Sequence, residues 1–217
     1  MPKVIRVDPK KPDRRVIDLA IRVIRGGGTI IYPTDTVYGI GANALEPQSA
    51  LKVFEIKERP LNQALPIAVS GLEMARKLAF IPDGAKKLIE RFWPGALTIV
   101  LRKRPIVPSE VTGGGDRVGL RAPNHAVPLE IIENSSLPII ATSANKHGQP
   151  SPITVGEALR QIGESVELCL DAGRTEIQMP STVLDFTKDP PAILRKGAIS
   201  VRAIERTLGE VEVQSIP

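Results

Sequence analysis

Apolar and polar positions alternate along this chain in two rhythms, one with the period of a helix and one with that of a buried strand. In "DRRVIDLAIRVIRGGG", Val16, Ile17, Ala20, Ile21 and Ile24 share one helical face, Arg22 and Arg25 lie elsewhere, and glycines end the run. "TIIYP" then reads as a short buried strand, and "PQSALKVFEIK" as a second helix opened by Pro47 and closed before Pro60. The pattern goes on with a strand at "LPIAV", helices in "GLEMARKLA" and "PDGAKKLIERF", a break at Trp93-Pro94-Gly95, and a strand at "ALTIVLR". A strand at "RVGLR", a helix around "VPLEIIE" and a strand at "PIIAT" follow. The last third adds a helix at "VGEALRQIG", strands at "VELCLD", "STVLDF" and "AILR", and a helix in "SVRAIERTLG".

Strands separated by helices predict a layered, mixed α/β fold, and the short connection in "STVLDFTKDPPAILR" requires antiparallel pairing beside the parallel kind. The expectation is one twisted mixed sheet flanked by helices, with ligands held by the Gly-, Pro- and Ser-rich loops at its strand ends. No internal repeat or low-complexity linker interrupts the pattern. With 217 residues and 42% hydrophobic content, a single domain over 1–217 is expected.

Composition narrows the function classes. No apolar run approaches membrane-spanning length and "MPKVIRVDPKKPDRR" lacks a signal segment, so a cytoplasmic location and no membrane partner are expected. The one cysteine, Cys169, sits in a strand pattern and reads as a buried apolar residue; two histidines without a cysteine pair lack the inventory of a zinc site. A net charge of +5 favours anionic partners, while 3% aromatics leave few platforms for stacking unpaired bases.

No Walker sequence is present, and "GGGDRVG" has the wrong glycine spacing for a dinucleotide fingerprint. "YPTDTVYGIGANA", with Thr34, Asp35 and Thr36 after the strand, reads as a strand, turn and cap, or as a pocket wall in which the hydroxyls orient a polar ligand and Gly39 and Gly41 let backbone approach it. In "KERP", Lys57 and Arg59 either cap a helix end or bind an anion. Arg121 ends one predicted strand, Thr142, Ser143 and Asn145 end another, and Ser181, Thr182 and Arg195 flank the last pair. Together these basic and hydroxyl-bearing strand ends suggest a pocket for a phosphorylated ligand and a carboxylate, both suited to the forked donors of arginine.

In this order, "PTDTVYGIGA", "KERP", "GLRAP", "TSANKHGQPSP" and "STVLDF…ILRKGAIS" resemble the YrdC domain family from about Gly26 to Ser200, above all in Lys57, Arg59, Ser143 and Asn145, which match its K-x-R and S-x-N signature. The resemblance implies a three-layer fold with a concave positive cavity. It also implies synthesis of L-threonylcarbamoyladenylate from L-threonine, bicarbonate and ATP, with release of pyrophosphate. Mg2+ would arrive with ATP, and the product would pass to a threonylcarbamoyl transferase complex that modifies tRNA. Carried over by position, Lys57 and Arg59 are the catalytic pair and bind ATP with Gln63, Arg117, Ser143, Asn145, Ser151 and Arg195, while Thr36, Arg121 and Ser181 hold threonine.

The chain departs from the longer, two-domain members of that family. They have an Asn four residues and a His nine residues after the K-x-R arginine, where this chain has Gln63 and Ala68; Arg117 replaces a threonine, and "GRTEIQMP" replaces a glycine-rich loop. It therefore resembles the short, single-domain form. Two other readings stand beside the synthase: a relative of the same fold acting on another carbamoyl adenylate, and a module contacting tRNA or double-stranded RNA.

Overall fold

The computed structural model describes residues 2–213. Its helices follow the sequence periods closely. Helix α1 (Arg14–Arg25) starts where the Asp13 carboxylate accepts the Arg15 N–H and buries Ile17, Ala20, Ile21 and Ile24; α2 (Pro47–Lys57) begins at the predicted proline. Helices α3 (Leu72–Leu78), α4 (Asp83–Phe92), α5 (Ala126–Ser135), α6 (Val155–Ile162) and α7 (Val201–Leu208) complete the set among the described residues. Thr154 and Ser200 cap the last two through their hydroxyls.

The strands divide into two mixed sheets where the sequence suggested one. The five-stranded sheet runs β1 (Lys3–Arg6), β9 (Leu168–Asp171), β2 (Ile30–Tyr32), β3 (Gly39–Gly41), β8 (Thr142–Ser143). The seven-stranded sheet runs β12 (Glu212–Val213), β11 (Ala192–Arg195), β10 (Thr182–Asp185), β5 (Leu97–Arg102), β6 (Arg117–Arg121), β4 (Ile67–Ala68), β7 (Ile139–Ile140). "PIIAT" is the reason for the division: Ile139 and Ile140 pair with β4, whereas Thr142 and Ser143 pair with β3. The chain changes sheets at Ala141, whose N–H donates to the Pro66 carbonyl at 2.8 Å.

Two apolar clusters form the core. The smaller packs α1 and α5 on the five-stranded sheet through Ile17, Ile21, Ile24, Ile131, Ile132 and Leu170. The larger gathers α2, α3, α4, α6 and α7 around residues of both sheets. As predicted, β10 and β11 pair antiparallel, while β10 runs parallel to β5. Among the described residues no helix is long and apolar enough to cross a membrane.

Candidate active site

One face of the seven-stranded sheet is the floor of a cavity of about 570 Å3. The alternation in "RVGLR" dictates this: Val118 and Leu120 point into the core, so Arg117, Gly119 and Arg121 point the other way. Register extends the row. One step beyond the Ile99–Leu120 pair, Thr98 stands beside Arg121; Thr98 pairs with Val183 and Val183 with Arg195, and all four line the cavity. Two loops close one wall. Gly113, at φ +60°, rests on the backbone of Asn62, and a Cβ there would lie 2.7 Å from the Asn62 carbonyl.

Four guanidiniums line this space, and their partners differ. Arg121, 11% exposed, donates from Nε to the Gly95 carbonyl (2.9 Å), from Nη1 to Thr36 Oγ1 (2.7 Å) and from Nη2 to the buried Asp35 carboxylate. Arg117 donates from Nη1 to the fully buried Asp185 at 3.0 Å. By contrast, among the described residues the Arg59 guanidinium donates only to the Gln63 and Ala64 carbonyls, each at 3.1 Å, and that of Arg195 only to the Ser181 carbonyl (3.0 Å) and Ser181 Oγ (3.1 Å). No carboxylate lines the cavity among the described residues. Two of its positive charges are therefore matched by a carboxylate and two are not.

The two unmatched guanidiniums are also desolvated. Burial holds the Arg59 guanidinium below its ordinary value. Arg195 is exposed at the rim, yet its guanidinium is also pulled down, first by the desolvating walls and then by the charges of Arg121 and Arg59. A negative charge placed beside these two guanidiniums would favour their charged forms.

The family model described as telomere recombination, of the Sua5, YciO and YrdC proteins, matches residues 22–197. This chain belongs to the Sua5, YciO and YrdC family. A threonylcarbamoyl-AMP synthase of Pyrococcus abyssi is 42% identical over 91% of this chain and 58% of its own length. A putative threonylcarbamoyl-AMP synthase of Mycobacterium leprae is 37% identical over 96% of each chain. The crystal structure of Pyrococcus abyssi Sua5 complexed with L-threonine superposes with a TM-score of 0.94 at 40% identity, covering 97% of this chain and 62% of that one. The chain thus spans about 58% of the length of the first of these relatives.

Within this Sua5, YciO and YrdC fold, Thr36, Arg59, Arg117, Arg121, Ser143, Ser151, Ser181 and Arg195 come together on the cavity lining. Lys57, Gln63 and Asn145 sit just behind it. Lys57 is 1% exposed, and its ammonium donates to the Ser143 and Asn145 carbonyls, each at 2.5 Å, which ties the end of α2 to β8 and its loop. Neither cation of "KERP" caps its own helix; Glu58, at φ 51°, turns the chain, and the Arg59 N–H reaches back to the Phe54 carbonyl. Burial, then the charge of Arg59, pulls the Lys57 ammonium down to about 7. Gln63 contributes its carbonyl to Arg59, and the Asn145 side chain donates to the carbonyls of Lys146 and Gln149, both at 2.8 Å.

Gly39 and Gly41 have a different reason from the one the sequence suggested. A Cβ at these positions would meet the Tyr32 ring at 3.0 Å and 2.9 Å, so the glycines make room for a neighbouring strand's side chain. Ala68 borders a small annex of about 30 Å3 that opens beside Thr36, Arg121 and Ser143. Cys169 is buried on β9 with its thiol pushed up to about 12 by burial, and it does not line the cavity. Sequence reasoning missed Thr98, Asn62 and Thr112 on the lining. A lone hydroxyl inside the apolar run "ALTIVLR" was the signal for Thr98, whose Oγ1 shares a hydrogen with Ser181 Oγ at 2.8 Å.

Proposed function

We propose that this chain is a threonylcarbamoyl-AMP synthase, joining L-threonine, bicarbonate and ATP into L-threonylcarbamoyladenylate with release of pyrophosphate. The observation that carries this reading is the uneven lining of the cavity: the guanidiniums of Arg59 and Arg195 meet no carboxylate, whereas that of Arg121 is matched by Asp35 and donates to the Thr36 hydroxyl. A polyphosphate and an amino acid are ligands of that description, and relatives that carry the synthase name support their identity.

In this assignment Arg59 and Arg195 hold the phosphates with Arg117, Ser143 and Ser151. Lys57, Gln63 and Asn145 act on the nucleotide through the backbone they brace. Arg121 receives the threonine carboxylate, with Thr36 and Ser181 at its side. The amine nitrogen forms a bond to the bicarbonate carbon, whose hydroxyl leaves as water with the amine proton. The resulting carbamate oxygen attacks the α-phosphorus, and the bond to pyrophosphate breaks. The residues act by proximity and by stabilising the charge that spreads over the phosphates. Lacking carboxylates, the lining does not suit a resident divalent ion, and Mg2+ belongs to the nucleotide as its companion.

Residues 1–217 would belong to one working unit, placed in the cytoplasm, whose labile product is consumed by a threonylcarbamoyl transferase complex acting on tRNA. The test is pyrophosphate release from MgATP with threonine and bicarbonate together, then with each omitted. Release that requires both is expected. ATP binding without threonine-dependent release would overturn the assignment and favour a related carbamoyl adenylate.

A further inference from the structure

Asp35 is a buried acid that the assignment above leaves without a task. It is 3% exposed and absent from the cavity lining, so it stands behind the wall. One carboxylate oxygen accepts from Arg121 Nη2, while the other, Oδ2, is buried with no hydrogen-bond partner. A half-satisfied carboxylate in such a place is costly unless a fixed cation stands against it. Its main chain is pinned as well, because the Asp35 carbonyl accepts the Ile177 N–H at 2.9 Å.

The effect on Arg121 follows from counting donors. A guanidinium has five N–H groups. Gly95, Thr36 and Asp35 each take one, which fixes the plane from three sides and leaves two donors. Asp35 also sets a negative charge against Arg121 at close range, unlike the situation at Arg59 and Arg195, whose partners are neutral carbonyls and a hydroxyl.

We propose that Asp35 is a positioning residue: by holding and neutralising Arg121 from behind, it makes that guanidinium a two-donor seat for one carboxylate instead of a further phosphate-binding charge. The inference rests on the synthase reading for the identity of the amino acid, and on the cavity alone for the sorting of anions. It assigns two effects of opposite sign to one side chain. Without the negative charge at Asp35, Arg121 loses its fixed plane and carboxylate binding weakens, while the cavity becomes more positive and binds polyanions more tightly.

The experiment measures L-threonine and inorganic pyrophosphate binding calorimetrically to the wild type and to Asp35→Asn and Asp35→Glu, with circular dichroism and thermal melting as checks on folding. For Asp35→Asn, which keeps the shape, threonine affinity falls at least about tenfold and pyrophosphate affinity rises about threefold or more. Asp35→Glu, which restores the charge, returns pyrophosphate affinity to the wild-type value. Parallel losses for both ligands in Asp35→Asn would make the residue merely structural and overturn the proposal, as would wild-type affinities for both. A wild type that binds pyrophosphate and not threonine would sink the synthase reading, and Asp35 would then stand or fall on the pyrophosphate arm. Should Asp35→Asn fail to fold, the same comparison is made on Asp35→Glu and Thr36→Val, where a loss confined to threonine supports the seat and equal losses overturn it.

Discussion

Lys57 illustrates how a single side chain can be chemically conspicuous in sequence and still be placed by contacts the sequence hides. Its ammonium is buried against two carbonyls of β8 and its loop, and burial with the Arg59 charge brings it down to about 7. In the unfolded chain a lysine keeps its proton to about pH 10.4. Between pH 7 and that value the unfolded state therefore binds more protons than the folded one, and stability rises with pH. Urea denaturation of the wild type and of Lys57→Met at pH 7 and pH 9 should show the wild type gaining roughly 2 kcal/mol relative to the variant. Parallel pH curves would mean that Lys57 stays charged in the fold. Arg121, Ser181 and Arg195 were legible because each ends or flanks a strand-like run, where side chains emerge at a sheet rim, and Arg59 because it follows a helix end in "KERP". Thr98 was not, since one threonine in an apolar strand is an ordinary β-former, and its meeting with Ser181 spans 83 residues of chain. Asp35 was visible in "TDT", but its partnership with Arg121 required pairing across 86 residues.

At the scale of elements, "ILRKG" shows why an arginine and a glycine stand two apart at the end of β11. Arg195 leaves the strand toward the cavity, and Gly197 then passes so close to the neighbouring segment that a Cβ would lie 2.4 Å from the Pro180 carbonyl and 2.5 Å from Thr182 N. Those atoms are backbone and cannot rotate away. Gly197→Ala should therefore separate Ser181 from Arg195, cost roughly 1–3 kcal/mol of stability and weaken pyrophosphate binding at least about tenfold. Gly156→Ala, in α6, meets nothing closer than Arg160 Nη1 at 3.8 Å and should stabilise by about 0.5 kcal/mol with binding unchanged. Thermal melts and calorimetry on the two variants check both; similar behaviour of the two would remove the case for the close approach. The helices were legible for a local reason, since an apolar stripe with a cap is written within one segment, as in α1 and α2. The division into two sheets was not. It depends on β3, β7 and β8, strands of two or three residues whose partners are set by tertiary pairing and not by any period.

For the whole molecule, the decisive quantity is where the positive charge sits. A net charge of +5 spread over the surface suits an extended polyanion such as duplex RNA, whose binding releases counterions and loses affinity steeply with salt. Four of the seventeen arginines of this chain instead converge on a cavity of about 570 Å3, a space about as wide as the screening length at ordinary ionic strength. Under the proposed function a nucleotide in that cavity would lie against Arg59 and Arg195, with little room for intervening ions. Raising NaCl from 50 to 200 mM should thus weaken MgATP binding by no more than about threefold, whereas duplex RNA held by six or more phosphate contacts would lose about a thousandfold. Anisotropy titrations of a fluorescent ATP analogue and of an RNA duplex of about 16 base pairs, run at both salt concentrations, separate the two. Shallow salt dependence for the nucleotide with negligible duplex binding at 200 mM is the outcome expected of an enclosed catalytic cavity. Tight duplex binding that competes with ATP would relocate the function of these arginines from the cavity to the surface around its mouth.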